Sequence, residues 1–295
     1  MTAARGGWLR VLKAIGWTVA FLFLGIALSI LLLSGVAYML TGSIVEGLER
    51  VRGADPVSTL AQGGSQLVGF LIATWVIGNR ALGLGWRELR WQGGKRGAAG
   101  ARRGLVLGAG AALAAVGAAV AVGTAFWSRD QGTGGDYLAQ VLKTTAVLAP
   151  AALGEEVMFR GVPLVVMAAA IGRVPALVLV AGVAFSLLHG FNPGITGLAL
   201  GNIALAGIWL GLAFYAPGGI WTAFGAHLGW NATLAALDAP VSGLPFRIPF
   251  LDYHAGGPCW VTGCRFGPEG GLLATAALVV ASLVALGWAK EEEAA

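Results

Sequence analysis

The segment VLAPAALGEEVMFRG, Val147 to Gly161, sets two carboxylates and a guanidinium inside an apolar run. An ionisable side chain at the centre of a bilayer costs roughly 3 kcal/mol or more. Two later segments repeat the pattern, FSLLH (Phe185 to His189) and HLGWN (His227 to Asn231), again within apolar sequence. Polar groups at that depth are expensive, and their default reading is a functional site within the membrane.

The rest of the chain agrees with a membrane setting. Of its 295 residues, 57% are hydrophobic and 11% charged, and the mean hydropathy is +0.78. An ordinary soluble domain is about 25% charged. The fold class expected is therefore all-α, a polytopic membrane protein. The net charge of +5 and the pI near 9.6 come from cations in short loops beside apolar runs. That placement points to topology and contact with lipid headgroups, and it excludes nucleic acid as a partner.

At about 20 apolar residues per span, eight transmembrane helices are expected. They lie near Ala14–Leu40, Leu60–Gly78, Gly104–Phe126, Leu138–Met158, Val174–His189, Ile195–Tyr215, Gly219–Leu237 and Gly271–Trp288. The first run is longer than the core of a signal peptide and reads as a retained span. The fourth is expected to continue to Ala170 with a break or kink at Pro150 and Pro163. Three regions follow: 1–137, three spans with a basic loop; 138–237, a four-helix core holding the polar motifs; and 238–295, an external loop and the last span.

Loop charge sets the orientation. Arg80, Arg87, Arg90, Lys95, Arg96, Arg102 and Arg103 fall between Asn79 and Arg103. By the positive-inside rule this loop and the basic N-terminus are cytoplasmic, as then are Arg173, Lys290 and both termini. The only two cysteines, Cys259 and Cys264, fall outside and read as two free thiols or a small disulfide, the disulfide being the favoured of the two. Small-xxx-small pairs at Gly104–Gly108 and Gly207–Gly211 predict close packing between helices of the same chain.

Helix geometry divides the polar residues by role. Residues four apart share a face, while neighbours point about 100° apart. Glu156 therefore stacks on Arg160 as an ion pair, and Glu155 projects elsewhere. An unpaired carboxylate in a low-dielectric site has a raised proton affinity, which suits a general base. His227 and Asn231 share one face and offer two donors to a developing oxyanion. His189 ends the fifth span, where it orients the water that Glu155 deprotonates or ligates a metal. Glu155, His189 and His227 would also make a three-ligand site for a divalent metal such as zinc, with one open position. No other cofactor is indicated. Phe185 reads as packing that holds the histidine's rotamer. Asn192 and Asn202 satisfy helix ends or partners, and His254, beside Asp252, is given no role.

In chain order these strings resemble the motifs E-E-x-x-x-R (Glu155, Glu156, Arg160), F-x-x-x-H (Phe185, His189) and H-x-x-x-N (His227, Asn231). They mark the CAAX-prenyl-protease and bacteriocin-processing family of intramembrane glutamic- or metalloproteases. The resemblance covers roughly Leu138 to Leu237. It implies that Glu155 and His189 activate water, that His227 and Asn231 form the oxyanion site, and that Glu156 and Arg160 support them. The expected function is an intramembrane endopeptidase acting on a peptide or membrane-protein segment, in a bacterial cytoplasmic membrane. The alternative is a non-catalytic membrane partner, an immunity factor or scaffold that binds a peptide in the same cavity. Buried Glu, Arg and His also build proton relays in transporters, but no inverted repeat is visible to support that reading.

Overall fold

The computed structural model describes residues 2–53 and 55–294, with side chains from residue 7 onward. It is 76% helical. A long first helix, α1 (Thr2–Thr41), turns through a short α2 (Ile44–Arg50) into α3 (Pro56–Ala73). Helix α3 widens without interruption into a π-helical stretch, Thr74–Ala81, and α4 (Gly94–Ala121) follows. A strand, β1 (Ala125–Arg129), leads to α5 (Gly134–Arg160) and α6 (Val162–Ile171). Next come α7 (Arg173–Ala176), a second π-helical stretch (Leu177–Ala184) and α8 (Phe185–Leu188), which run on as one rod. Helices α9 (Gly197–Tyr215) and α10 (Ile220–Ala236) complete the centre of the bundle. Strand β2 (Leu251–Ala255), a turn α11 (Cys259–Thr262) and the last helix α12 (Leu272–Ala294) close the chain.

Among the described residues, five helical stretches are long and apolar enough to cross a membrane: Gly7–Thr41, Pro56–Ala81, Gly94–Ala121, Gly197–Tyr215 and Leu272–Ala294. Eight spans were expected; the other three stretches fall short of this length or apolarity. Arg173–Leu188 is too short, α10 has 17 residues, and α5 carries Asp136, Lys143, Glu155, Glu156 and Arg160. Two of the three are short and one is charged, and all three carry the polar motifs.

Helix α5 begins at a capping box in which the Thr133 hydroxyl and the Asp136 carboxylate each accept the other's backbone N–H. Such a reciprocal cap satisfies two of the donors that a helix start leaves open. Pro150 sits inside α5 without breaking it. The break comes at Gly161 (φ −70°, ψ −121°), with Pro163 in the first turn of α6. Arg160 thus ends one helix, with the kink directly beyond it.

Glycine sets the closest approaches. A Cβ on Gly104 or Gly108 would collide with the Thr222 or Ala226 carbonyl of α10. In return, a Cβ on Gly225 or Gly229 would collide with the Ala101 or Leu105 carbonyl of α4. Gly207 of α9 lies likewise against the Ala181 carbonyl. Both small-xxx-small pairs serve packing within the chain, as dispersion contact between close backbones favours.

The two ends of the bundle differ. At one, Arg96 pairs with Glu292 at 2.6 Å and Arg173 with Glu293 at 3.1 Å. There Arg90 also donates to the carbonyls of Phe214 and Tyr215 at 2.8 and 2.9 Å. Helix α4 starts at Gly94, so Lys95, Arg96, Arg102 and Arg103 lie on its first turns rather than in a loop. At the other end, β1 and β2 form an antiparallel ribbon with Trp127 opposite Tyr253, which the sequence did not suggest. Cys259 and Cys264 are joined as a disulfide, as expected.

Candidate active site

The last turn of α5, the end of α8 and the middle of α10 converge on one cavity of about 520 Å³. Glu155, His189, His227 and Asn231 all line it, together with Gln62, Gln66, Met158 and Phe159. The adjacent carboxylates part company as helix geometry requires. Glu155 faces the cavity with its side chain 26% exposed, while Glu156 is wholly buried.

Glu156 has two partners. Its Oε1 lies 3.3 Å from Nη1 of Arg160 and 2.8 Å from Nδ1 of His227. Arg160, itself fully buried, also donates to the Gly207 carbonyl at 3.0 Å. Its guanidinium stacks over the Phe185 ring, 4.5 Å from the centroid. Burying a charge pair is costly unless further hydrogen bonds support it; here Glu156 Oε2 and Arg160 Nε have no partner among the described residues. The absence of a side chain at Gly207 lets α9 approach closely, and its carbonyl supplies one supporting bond.

Each histidine's tautomer follows from its partner. Nδ1 of His189 lies 2.8 Å from the Phe185 carbonyl, which can only accept. Nδ1 therefore carries a proton, and Nε2 lies 4.0 Å from Glu155 Oε2. Nδ1 of His227 donates to Glu156 in the same way, leaving its Nε2 3.8 Å from Glu155 Oε2. No hydrogen-bond partner among the described residues reaches Glu155 Oε2. Neither amide group of Asn231 is engaged in a hydrogen bond among the described residues, and the side chain lines the cavity. Phe185 is 3% exposed and lies 4.6 Å from the His189 ring, 6.2 Å from that of His227 and 5.3 Å from Phe159. It is the wedge that holds the histidines and Arg160 in register.

All seven residues singled out in the sequence thus meet in one place. As they are placed, Glu155, His189 and His227 form no metal-holding group, nor do any three His, Cys, Asp or Glu side chains among the described residues. His254 sits on the ribbon, bonded to Ser128 at 2.8 Å, stacked on Phe126, and 3.3 Å from Asp252.

One residue of the site was missed. Glu269, in a 3₁₀ turn before α12, accepts from Trp230 Nε1 at 3.0 Å and from the Ser242 backbone N–H and hydroxyl. It lines a small chamber of about 30 Å³ with Phe185, His189, His227, Asn231 and Ser242. A space of that size holds about one water molecule. Asn192 fastens the same loop by donating to the Ser242 carbonyl at 2.9 Å. Asn202 grips the turn behind it through the carbonyls of Glu269 and Gly271, at 2.7 and 2.9 Å. Glu269 belongs to no motif, and only its placement in a largely apolar stretch set it apart in the sequence.

Residues 137–233 match the family model described as type II CAAX prenyl endopeptidase, Rce1-like. No curated protein and no solved structure matches the chain. The matched stretch contains all three motifs and every residue lining the larger cavity except those of the Ser242 loop, of α3 and of the Arg52–Gly53 turn before it. The likeness spans about a third of the chain and is to a family of proteases, the Rce1-like type II CAAX prenyl endopeptidases.

Proposed function

We propose that this integral membrane protein is an intramembrane endopeptidase with Glu155 as its general base. The observation that carries the reading is one carboxylate oxygen, Glu155 Oε2, facing the Nε2 atoms of His189 and His227 at 4.0 and 3.8 Å. Separations of this size suit a water held between the groups rather than a direct bond. Glu155 and His189 take one proton from that water as its oxygen attacks the carbonyl carbon of the scissile peptide. The carbonyl π pair moves onto oxygen and gives a tetrahedral oxyanion. Collapse restores the carbonyl, breaks the C–N bond and returns the proton to the leaving amine. The new carboxylic acid gives its remaining proton to the amine, so the products are a carboxylate and an ammonium, and no redox partner is needed.

The oxyanion falls to Asn231 and His227. The Asn231 amide donates without rearrangement of any internal bond. His227 already donates Nδ1–H to Glu156, so a donation from Nε2 requires the doubly protonated ring. Glu156, 2.8 Å away and backed by Arg160, is the counter-ion that form needs. Fixed donors aimed at a developing charge are usually the largest contribution to such a reaction, about 10²–10³ in rate for each donor removed. Glu269 acts through other residues, fixing Trp230 between His227 and Asn231 and holding the Ser242 loop over the site.

The test is hydrolysis of a fluorogenic peptide library by purified protein in nanodiscs. Glu155→Gln and His189→Ala should each lose about 10²–10⁴ in kcat/KM, the usual contribution of a positioned acid or base. Groups that act as a unit are far from additive, so the double variant should lose little more than the worse single one. Undiminished hydrolysis in Glu155→Gln would sink the proposal.

A further inference from the structure

The geometry points to a substrate that arrives from the extracytoplasmic side: an extended apolar polypeptide segment delivered to the outer face of the membrane. This inference rests on the peptidase reading above for the word substrate, but not for the topology. The cavity has a definite direction. Its mouth is formed by Arg52 and Gly53, after α2, and by Leu244 and Phe246 of the loop following α10. Its floor is Met158 and Phe159, at the end of α5. No residue of the Arg90, Arg96, Arg173 and Glu292 cluster lines it.

Two independent observations orient the mouth. The first is charge. The far end of the bundle carries Arg80, Arg87, Arg90, Lys95, Arg96 and Arg173, while cations and acids are mixed at the mouth end. There Arg50 pairs with Asp55 at 3.0 Å and Arg52 with Glu49 at 2.8 Å. An excess of Lys and Arg in short connections marks the cytoplasmic face. The second is redox chemistry. The disulfide Cys259–Cys264 lies between β2 and α12. That is the mouth end, because Tyr137 near the start of α5 donates to the Ala236 carbonyl at 3.2 Å and β1 pairs with β2. Disulfides persist in oxidising compartments and are rare in the cytosol. Both observations place the mouth outside.

The cavity's shape states what enters. At about 520 Å³ it takes a few residues of extended chain and no folded domain. Its walls include Leu148, Met158, Phe159, Leu188, Leu244 and Phe246, so apolar side chains flank the bond to be cut. A lipidated tail lying on the cytoplasmic leaflet would have to cross the bilayer to reach the same opening.

Two readouts on sealed vesicles, right-side-out and inverted, test this in a bacterial host. Leu244→Cys at the mouth and Arg87→Cys on the basic face are labelled with a membrane-impermeant maleimide, to which the disulfide cysteines do not respond. The expected result is Leu244→Cys labelled in right-side-out vesicles and Arg87→Cys in inverted ones. The reverse pattern would overturn the inference whether or not the protein is active. An impermeant fluorogenic apolar peptide added to each preparation should then be cut at least tenfold faster by right-side-out vesicles. Labelling as expected with no cleavage on either side would leave the orientation standing and defeat the peptidase reading. Faster cleavage by inverted vesicles would defeat the extracytoplasmic substrate.

Discussion

Helix α10 has two faces that obey opposite rules. One presents Gly225 and Gly229 to α4, so close that neither position admits a side chain. The other, turned about 200° away by the helical repeat, presents His227 and Asn231 to the cavity. On the first face the Thr222 hydroxyl, close to Gly100, is satisfied within its own chain segment by the Pro217 carbonyl at 2.6 Å. The second is polar in an apolar bundle and depends on Glu156, Arg160 and Glu269 for its bonding. The contrast teaches that the rigid, featureless contact with α4 is what allows the costly face to keep its geometry. A site held to within a fraction of an ångström needs a support whose own packing is fixed.

The comparison predicts separable phenotypes, taken here from the largest effect to the smallest. On the polar face, Asn231→Ala should lower kcat by about 10²–10³ with KM nearly unchanged, and should leave thermal unfolding in detergent as it was. A fall in unfolding temperature instead would make Asn231 a packing residue. Glu156→Ala belongs to both worlds. It strands a fully buried Arg160 and frees His227, so it should cost roughly 3–5 kcal/mol of stability as well as activity. Loss of activity alone would mean that Arg160 finds other partners. On the glycine face, Gly229→Leu should destabilise by about 1–3 kcal/mol or more through overpacking. Protein that does fold should retain its kcat. Lost activity at full stability would show that the two faces are coupled.

How much of this was readable beforehand depended on whether the signal was local. Glu155, Glu156 and Arg160 lie within two turns of one helix, so their faces followed from the spacing. The pairs Phe185–His189 and His227–Asn231 were legible for the same reason. The contact between Glu156 and His227 was not, because it joins residues 71 apart on different helices. No periodicity encodes which way α5 and α10 cross. Glu269 escaped because it acts from a 3₁₀ turn, outside any helical pattern. The two π-helical stretches, Thr74–Ala81 and Leu177–Ala184, were invisible in composition, since apolar sequence serves an α or a π turn equally. Of the eight spans expected, the three outside the five long apolar stretches are the ones that carry the motifs: Arg173–Leu188 and α10 are short, and α5 holds five charged residues.

The smallest predicted effect lies at the cavity mouth. Asp55 caps α3 by accepting the N–H groups of Val57 and Ser58. The Ser58 hydroxyl, and then the Arg50 guanidinium, hold its carboxyl well below the usual carboxylate range. Because the folded value is depressed, its contribution is fully present above the ordinary value of about 4 and fades as pH falls toward the folded one. Asp55→Asn should therefore unfold at a slightly lower temperature than the parent at pH 6, and the gap should narrow by pH 3. A gap that widens with acid would contradict the assignment.

The central claim is that Glu155 cuts peptide bonds in membrane-associated chains. Its most direct test compares the termini of the membrane proteome in cells carrying the parent protein and cells carrying Glu155→Gln at equal abundance. The account predicts a set of new termini, flanked by apolar residues, present only with the parent. Identical termini in the two populations would contradict it.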